Sequence, residues 1–197
     1  IPSFNSAAAH AGFFNVSPDT DGTIRRVPLL ILANAKPYPT LALGMAQAGL
    51  QKKVKVVVAP HNGGVQSLGF EGGDSIPISS SGEMAINFRG GAQSFPYISA
   101  VDILDPSLSE LPYGIDGKNS APRALLLKDS YAFIGATAMG LYDMRAFPFD
   151  SNVAGVEGHA NILDNLLTGD ALTTLESLRR NHTAPLVLLI GGLLFGI

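Results

Sequence analysis

The feature that most constrains this chain is its last stretch, Ala184 to Ile197, APLVLLIGGLLFGI, which contains neither a charge nor a polar side chain. As a helix it would reach about 21 Å, against a hydrocarbon core of about 30 Å. The run stops where the chain stops and meets no polar residue first, so its pattern is that of a spanning helix cut short. Pro185 suits a first helical turn, and Gly191-Gly192 are better tolerated in lipid than in water. The competing reading is a buried core strand or helix. The expected organisation is a folded domain over 1–174, a juxtamembrane linker over 175–183, and the start of a transmembrane helix over 184–197.

Composition narrows the classes. A length of 197 residues suffices for one domain with a proper core. The formal net charge of −3 gives no support to nucleic-acid binding, which needs concentrated Lys and Arg. Cysteine is absent, which removes disulfides, thiolate metal sites and a cysteine nucleophile. Enzyme signatures are missing too. There is no Gly-x-Ser-x-Gly elbow, no phosphate-binding Gly-Lys-Ser/Thr loop and no His-Glu-x-x-His. The histidines at 10, 61, 159 and 182 lack ligand spacing, so no metal or other cofactor is expected.

Strand and helix signals alternate along the chain. Helical patterns are read ending near Ala11 and over Thr40–Leu50 (capped by Thr40), Ser99–Leu104 and Val156–Leu167. Strand patterns are read at Phe13–Val16, Ile24–Leu32, Val54–Ala59, Ser75–Ser79, Met84–Phe88 and Tyr131–Ile134. Val54–Ala59 reads as a strand covered on both faces, Tyr131–Ile134 as a core strand, and residues 105 to 123 as a loop. This order predicts an α/β domain: a mixed sheet flanked by helices.

Several segments carry a family resemblance when taken together. They are Gly12-Phe13-Phe14-Asn15 with Asp19-Thr20-Asp21-Gly22-Thr23-Ile24-Arg25-Arg26-Val27-Pro28-Leu29, Tyr38-Pro39-Thr40-Leu41-Ala42-Leu43, Ile86-Asn87-Phe88-Arg89-Gly90, Phe95-Pro96-Tyr97-Ile98-Ser99-Ala100, Phe133-Ile134-Gly135-Ala136-Thr137-Ala138, and Gly155-Val156-Glu157-Gly158-His159-Ala160-Asn161. In this order they resemble the type-2 CHASE domain, the cyclases/histidine kinases-associated sensory extracellular domain. The resemblance implies a domain outside the cytoplasmic membrane of a bacterial cell, on the periplasmic or extracellular side. In such proteins the domain is followed by several transmembrane helices and then an adenylate or guanylate cyclase, a histidine kinase or another output. The family's upstream half is not visible here, so the resemblance covers the C-terminal portion of the domain. Arg179-Arg180, just before the apolar run, pull the other way, since flanking cations favour the cytoplasmic side.

The candidate site residues are Arg89, Thr137, Asp143 and His159. Arg89 is expected just past one strand end, and Thr137 and Asp143 past another. If those strands are parallel neighbours, Arg89 and Thr137 border one crevice, where a guanidinium would hold an anion in bidentate fashion. The alternative is a structural ion pair of Arg89 with Asp143 or Asp102. On a helical wheel from Val156, His159 falls inside the apolar stripe. Glu157, Asn161, Asp164 and Asn165 fall opposite it, facing water or a partner. His159 then reads either as a satisfied core histidine or as a proton sensor. Asp19-Thr20-Asp21-Gly22 reads as a tight turn rather than a calcium loop, because Thr23 and Leu30 occupy positions a calcium loop needs for oxygen ligands. Phe147 and Phe149 around Pro148 either fold back on the core or form a dimer contact.

These readings give a sensor for an unknown small molecule or physical signal, tied to the membrane by its C-terminal helix and expected as a homodimer. The chain itself performs no chemistry; its parent is expected to be a nucleotide cyclase. The alternative is a dimerisation or assembly module that senses nothing.

Overall fold

The computed structural model describes residues 8, 11–34, 36–58, 64–114, 116–137 and 143–174. The run Ala184–Ile197, the linker over 175–183 and most of the helix expected before Ala11 lie outside the described residues. Among the described residues, no helix is long and apolar enough to cross a membrane. They form α/β structure with small antiparallel sheets and four helices rather than one mixed sheet. The chain divides into two compact units, residues 1–87 with 161–197, and residues 88–160.

In the first unit, β1 (Arg26–Pro28) pairs with β7 (Glu83–Ala85), and β2 (Leu30–Ala33) pairs with β3 (Lys36–Pro39). A third sheet has the order β4 (Val54–Val58), β5 (Val65–Phe70), β6 (Ser75–Ile76). The segment expected as one strand over Ile24–Leu32 is therefore two strands that separate at Leu29. Of these, only β2 forms a hairpin, with Lys36–Pro39. Phe13 makes only an isolated parallel bridge to Thr40. Gly12 makes this approach possible: a Cβ there would come within 2.7 Å of the Leu41 backbone.

Helix α1 (Leu41–Leu50) starts where expected. The Thr40 hydroxyl accepts the Leu43 amide at 3.1 Å, which satisfies one of the orphan N–H groups of the first turn. Its residues Ala42, Leu43 and Ala46 join Val27, Leu29, Leu68 and Met84 among the buried apolar side chains. Strand β4 forms as read, but Val56 and Val58 are exposed, so it is not covered on both faces.

The second unit contains α2 (Ala100–Leu104), the hairpin β8 (Glu110–Tyr113) with β9 (Asn119–Pro122), α3 (Arg123–Leu127), and the hairpin β10 (Met144–Phe147) with β11 (Asp150–Ala154). The presumed loop over 105–123 is thus largely a hairpin. Arg123 ties it to the preceding helix by donating to the carbonyls of Ile103 and Asp105. Tyr131–Ile134 forms no strand, and Ile134 is 99% exposed. Helix α4 (Gly155–Thr168) begins in this unit and ends in the first. Phe147 is buried, with its ring 5.0 Å from that of Phe88, whereas Phe149 is exposed. Gly158 admits the Phe147 ring to the helix surface; a Cβ there would lie 2.6 Å from Cζ.

Candidate functional site

The first turns of α4 gather the polar groups of the second unit. Glu157 is only 3% exposed, contrary to the wheel, which put it on the solvent side. Its carboxylate is held by a loop. Oε1 accepts the Ser94 amide at 2.7 Å, and Oε2 accepts the Gln93 amide at 3.0 Å and the Tyr97 hydroxyl at 2.7 Å. Burial and the facing carboxylate push the Tyr97 hydroxyl above the usual phenol range, so it stays a donor. A buried carboxylate needs such donors, and here two backbone N–H groups and a phenol supply them.

Asp143 and His159 belong to the same place. The Asp143 carbonyl accepts the Gly155 amide at 2.7 Å at the start of α4. The cation that Asp143 meets is Arg145, at 3.4 Å. His159 is half-buried and stacks on Phe133, with ring centroids 6.4 Å apart. Its Nδ1 is buried without a hydrogen-bond partner among the described residues. Burial lowers the His159 pKa, and the nearby Asp143 charge partly opposes this. The neutral imidazole is therefore favoured.

Thr137 is exposed and lies two residues after Gly135, whose Cα abuts Val156 of α4. Arg89 is exposed and opens the loop whose residues 93–97 hold Glu157. The premise that Arg89 and Thr137 follow parallel neighbouring strands does not hold, because β7 pairs antiparallel with β1 and residues 131–137 form no strand. Each of the four candidates nevertheless stands on α4 or on a segment anchored to its first turns. Glu157, Tyr97 and Phe133 were missed as members of this cluster. The acid in the first helical turn was a usable signal, since negative charge is favoured at a helix N-terminus.

The first unit has a polar centre of a different kind. The Asn165 side chain forms a reciprocal pair with the Asn87 backbone: its Oδ1 accepts the amide at 2.8 Å and its Nδ2 donates to the carbonyl at 2.9 Å. Asn87 Nδ2 reaches the carbonyl and carboxylate of Asp170 at 3.2 and 3.3 Å. Two residues later, the Leu172 amide donates to the Ala85 carbonyl at 3.1 Å. The segment leaving α4 is thus bonded to the end of β7. Asn161 and Asn165, read as solvent-facing, are buried. At the Asp19–Gly22 turn both arginines are engaged: Arg25 bonds Asp19 and Asp21, and Arg26 bonds Asp19. These guanidiniums hold both carboxyls below the usual carboxylate range, as a turn braced by ion pairs requires.

Thus each of the two α/β units carries a polar clamp on its own part of α4, and among the described residues there is no cluster of side chains suited to a metal ion. The CHASE2 domain family matches residues 1–197, and the chain belongs to that family. CHASE2 domains are extracellular sensory domains of membrane-bound signalling proteins. No curated protein and no solved structure matches the chain.

Proposed function

We propose that this chain is the extracytoplasmic sensory domain of a bacterial inner-membrane protein whose output is an adenylate or guanylate cyclase, with a histidine kinase as the next choice. A small molecule or physical change is received by the domain. The response passes through the segment after α4 into the apolar run Ala184–Ile197, which anchors the domain in lipid. Arg89, Thr137, Asp143 and His159 form the receiving face, with the first turns of α4 as its floor.

The observation that carries this reading is the attachment of residues 170–172 to Asn87, Asn165 and Ala85, just before the chain heads toward that run. A change in the domain that loosened or tightened this attachment would be felt downstream, and two-state elements of this kind are how receptors bias their outputs. The test uses the full-length protein in membranes, with cyclic-nucleotide formation as readout. Asn87→Ala with Asn165→Ala is expected to leave basal formation measurable and to abolish its change on stimulation. A full-length protein with polar sequence directly after Ile197 and no cyclase or kinase output would end this reading.

One observation favours an assembly role as the second reading. Val101 and Leu104 on α2 and Leu125 on α3 are large apolar side chains left exposed. If they form a homodimer contact, Leu104→Glu converts a dimer to a monomer in analytical ultracentrifugation without lowering the melting temperature. An unchanged sedimentation profile removes α2 from any dimer contact.

A further inference from the structure

Strand β4 is the outer strand of its three-stranded sheet and, among the described residues, pairs on one side only, with β5. Such an edge presents a row of backbone N–H and C=O groups that no strand uses. Val56 lies opposite Leu68, which is 1% exposed, so the face that carries Val56 is the one turned to the core. At the rim of that face Val56 and Val58 remain 38% and 57% exposed.

The same rim is basic. Lys52, Lys53 and Lys55 are all exposed at the start of the strand. The ion pairs among the described residues engage Arg25, Arg26, Lys118 and Arg145, and none of these lysines. Glu71 is the adjacent acid; its amide donates to the Lys53 carbonyl at 2.9 Å. Asp74 immediately precedes β6, which β5 separates from β4, so it stands about two strand spacings away, roughly 10 Å.

Two kinds of partner use an exposed edge of this sort. A strand from another chain would take up the free backbone groups, but lysines on an edge strand oppose such pairing. An anionic lipid surface uses every feature present. Ammonium groups meet phosphate headgroups, while lysine stems and valines lie at the boundary with the acyl chains. The edge backbone stays at headgroup depth, where water still satisfies it. The chain belongs to a family of sensory domains carried by membrane proteins, so a bilayer is within reach.

We infer that the β4 rim docks on an anionic phospholipid surface, through Lys52, Lys53 and Lys55 with Val56 and Val58 beside them. A zwitterionic surface offers the same apolar boundary without the net charge the lysines match. The contact makes the attitude of the first unit toward the bilayer depend on lipid charge. It requires no particular output and no particular signal.

The chain has no tryptophan, so Val58→Trp places a single reporter on the rim. The full chain with this substitution is reconstituted into vesicles of phosphatidylcholine alone, or of phosphatidylcholine mixed with phosphatidylglycerol, each containing doxyl-labelled lipid. The expected result is blue-shifted, quenched emission in the phosphatidylglycerol vesicles and neither change in the neutral ones. Salt at about 1 M, where the Debye length is about 3 Å, should reverse it. Lys52→Gln, Lys53→Gln and Lys55→Gln together should lower the ratio of docked to free domain by roughly a hundredfold, since each lysine at an anionic surface is worth about fivefold. An unchanged circular dichroism melt is the evidence of folding. Equal quenching in the two kinds of vesicle overturns the proposal, as does quenching in neither, or quenching that survives the triple substitution. A blue shift that follows protein density instead of lipid charge identifies a second copy of the chain as the occupant and also overturns it. The output of the full-length protein is measured separately, so failure here leaves the sensor reading standing.

Discussion

The two units hold their loops to the same helix by opposite chemistry. Near its start, the Glu157 carboxylate only accepts, taking two amides and a phenol. Near its end, the Asn165 amide both donates and accepts, copying a backbone pair. A carboxylate concentrates several strong bonds on one charged group that must stay charged and buried. An amide spreads neutral bonds in both directions and tolerates no reversal of polarity. The start of α4 is therefore the stronger but more vulnerable clamp.

Changes at three residues should break or sharpen that contrast. Glu157→Ala should cost most, about 4 kcal/mol in urea unfolding, because three donors lose their acceptor at a buried site. Hydrogen exchange at the Gln93 and Ser94 amides should rise with it. Glu157→Gln should recover part of the loss, and a full recovery would show that charge plays no part. Asn165→Asp should come next, at about 3 kcal/mol near neutral pH, because it sets a carboxylate against the Asn87 carbonyl and beside Asp170. Protonation restores a donor, so this variant should gain stability relative to the parent as pH falls. A pH-independent deficit would refute the polarity argument.

The smallest effect should be a slope. The folded pKa of His159 lies below its unfolded value, so the unfolded chain binds more protons in the window below about 6.5. The contribution of His159 is therefore fully present above that window and is lost as pH falls through it. Asp143 is the charged group that faces it, and it tempers the shift. His159→Gln should flatten this part of the stability profile between pH 7 and 5 without moving its neutral-pH plateau much. A profile identical to the parent's would remove the histidine from the pH response.

What the sequence disclosed was mostly local. Helix α1 with its Thr40 cap, helix α4, strand β4 and the Asp19–Gly22 turn all follow from short-range rules. The hairpins β2–β3 and β8–β9 did not: no strand was read over Lys36–Pro39, which carries Pro37 and Pro39, and Pro112 and Pro122 fall in the segment read as a loop. In the structure they occupy two-stranded ribbons, where each strand has an open edge and a missing N–H can be tolerated. Tyr131–Ile134 has the composition of a core strand, but composition cannot supply a pairing partner. The wheel of α4 failed for a related reason. It assumed that polar residues seek water, whereas Glu157 and Asn165 find partners 60 to 78 residues away in the chain. Of the four candidate residues, Asp143 and His159 are linked electrostatically, and the Phe133 ring beneath the histidine could not be foreseen from spacing.

The backbone rung from Leu172 to Ala85 has a mechanical consequence. It is an isolated bridge, flanked by side-chain bonds at Asp170. Once this rung breaks, residues 170–174 can span at most roughly 17 Å, at about 3.3–3.6 Å per extended residue.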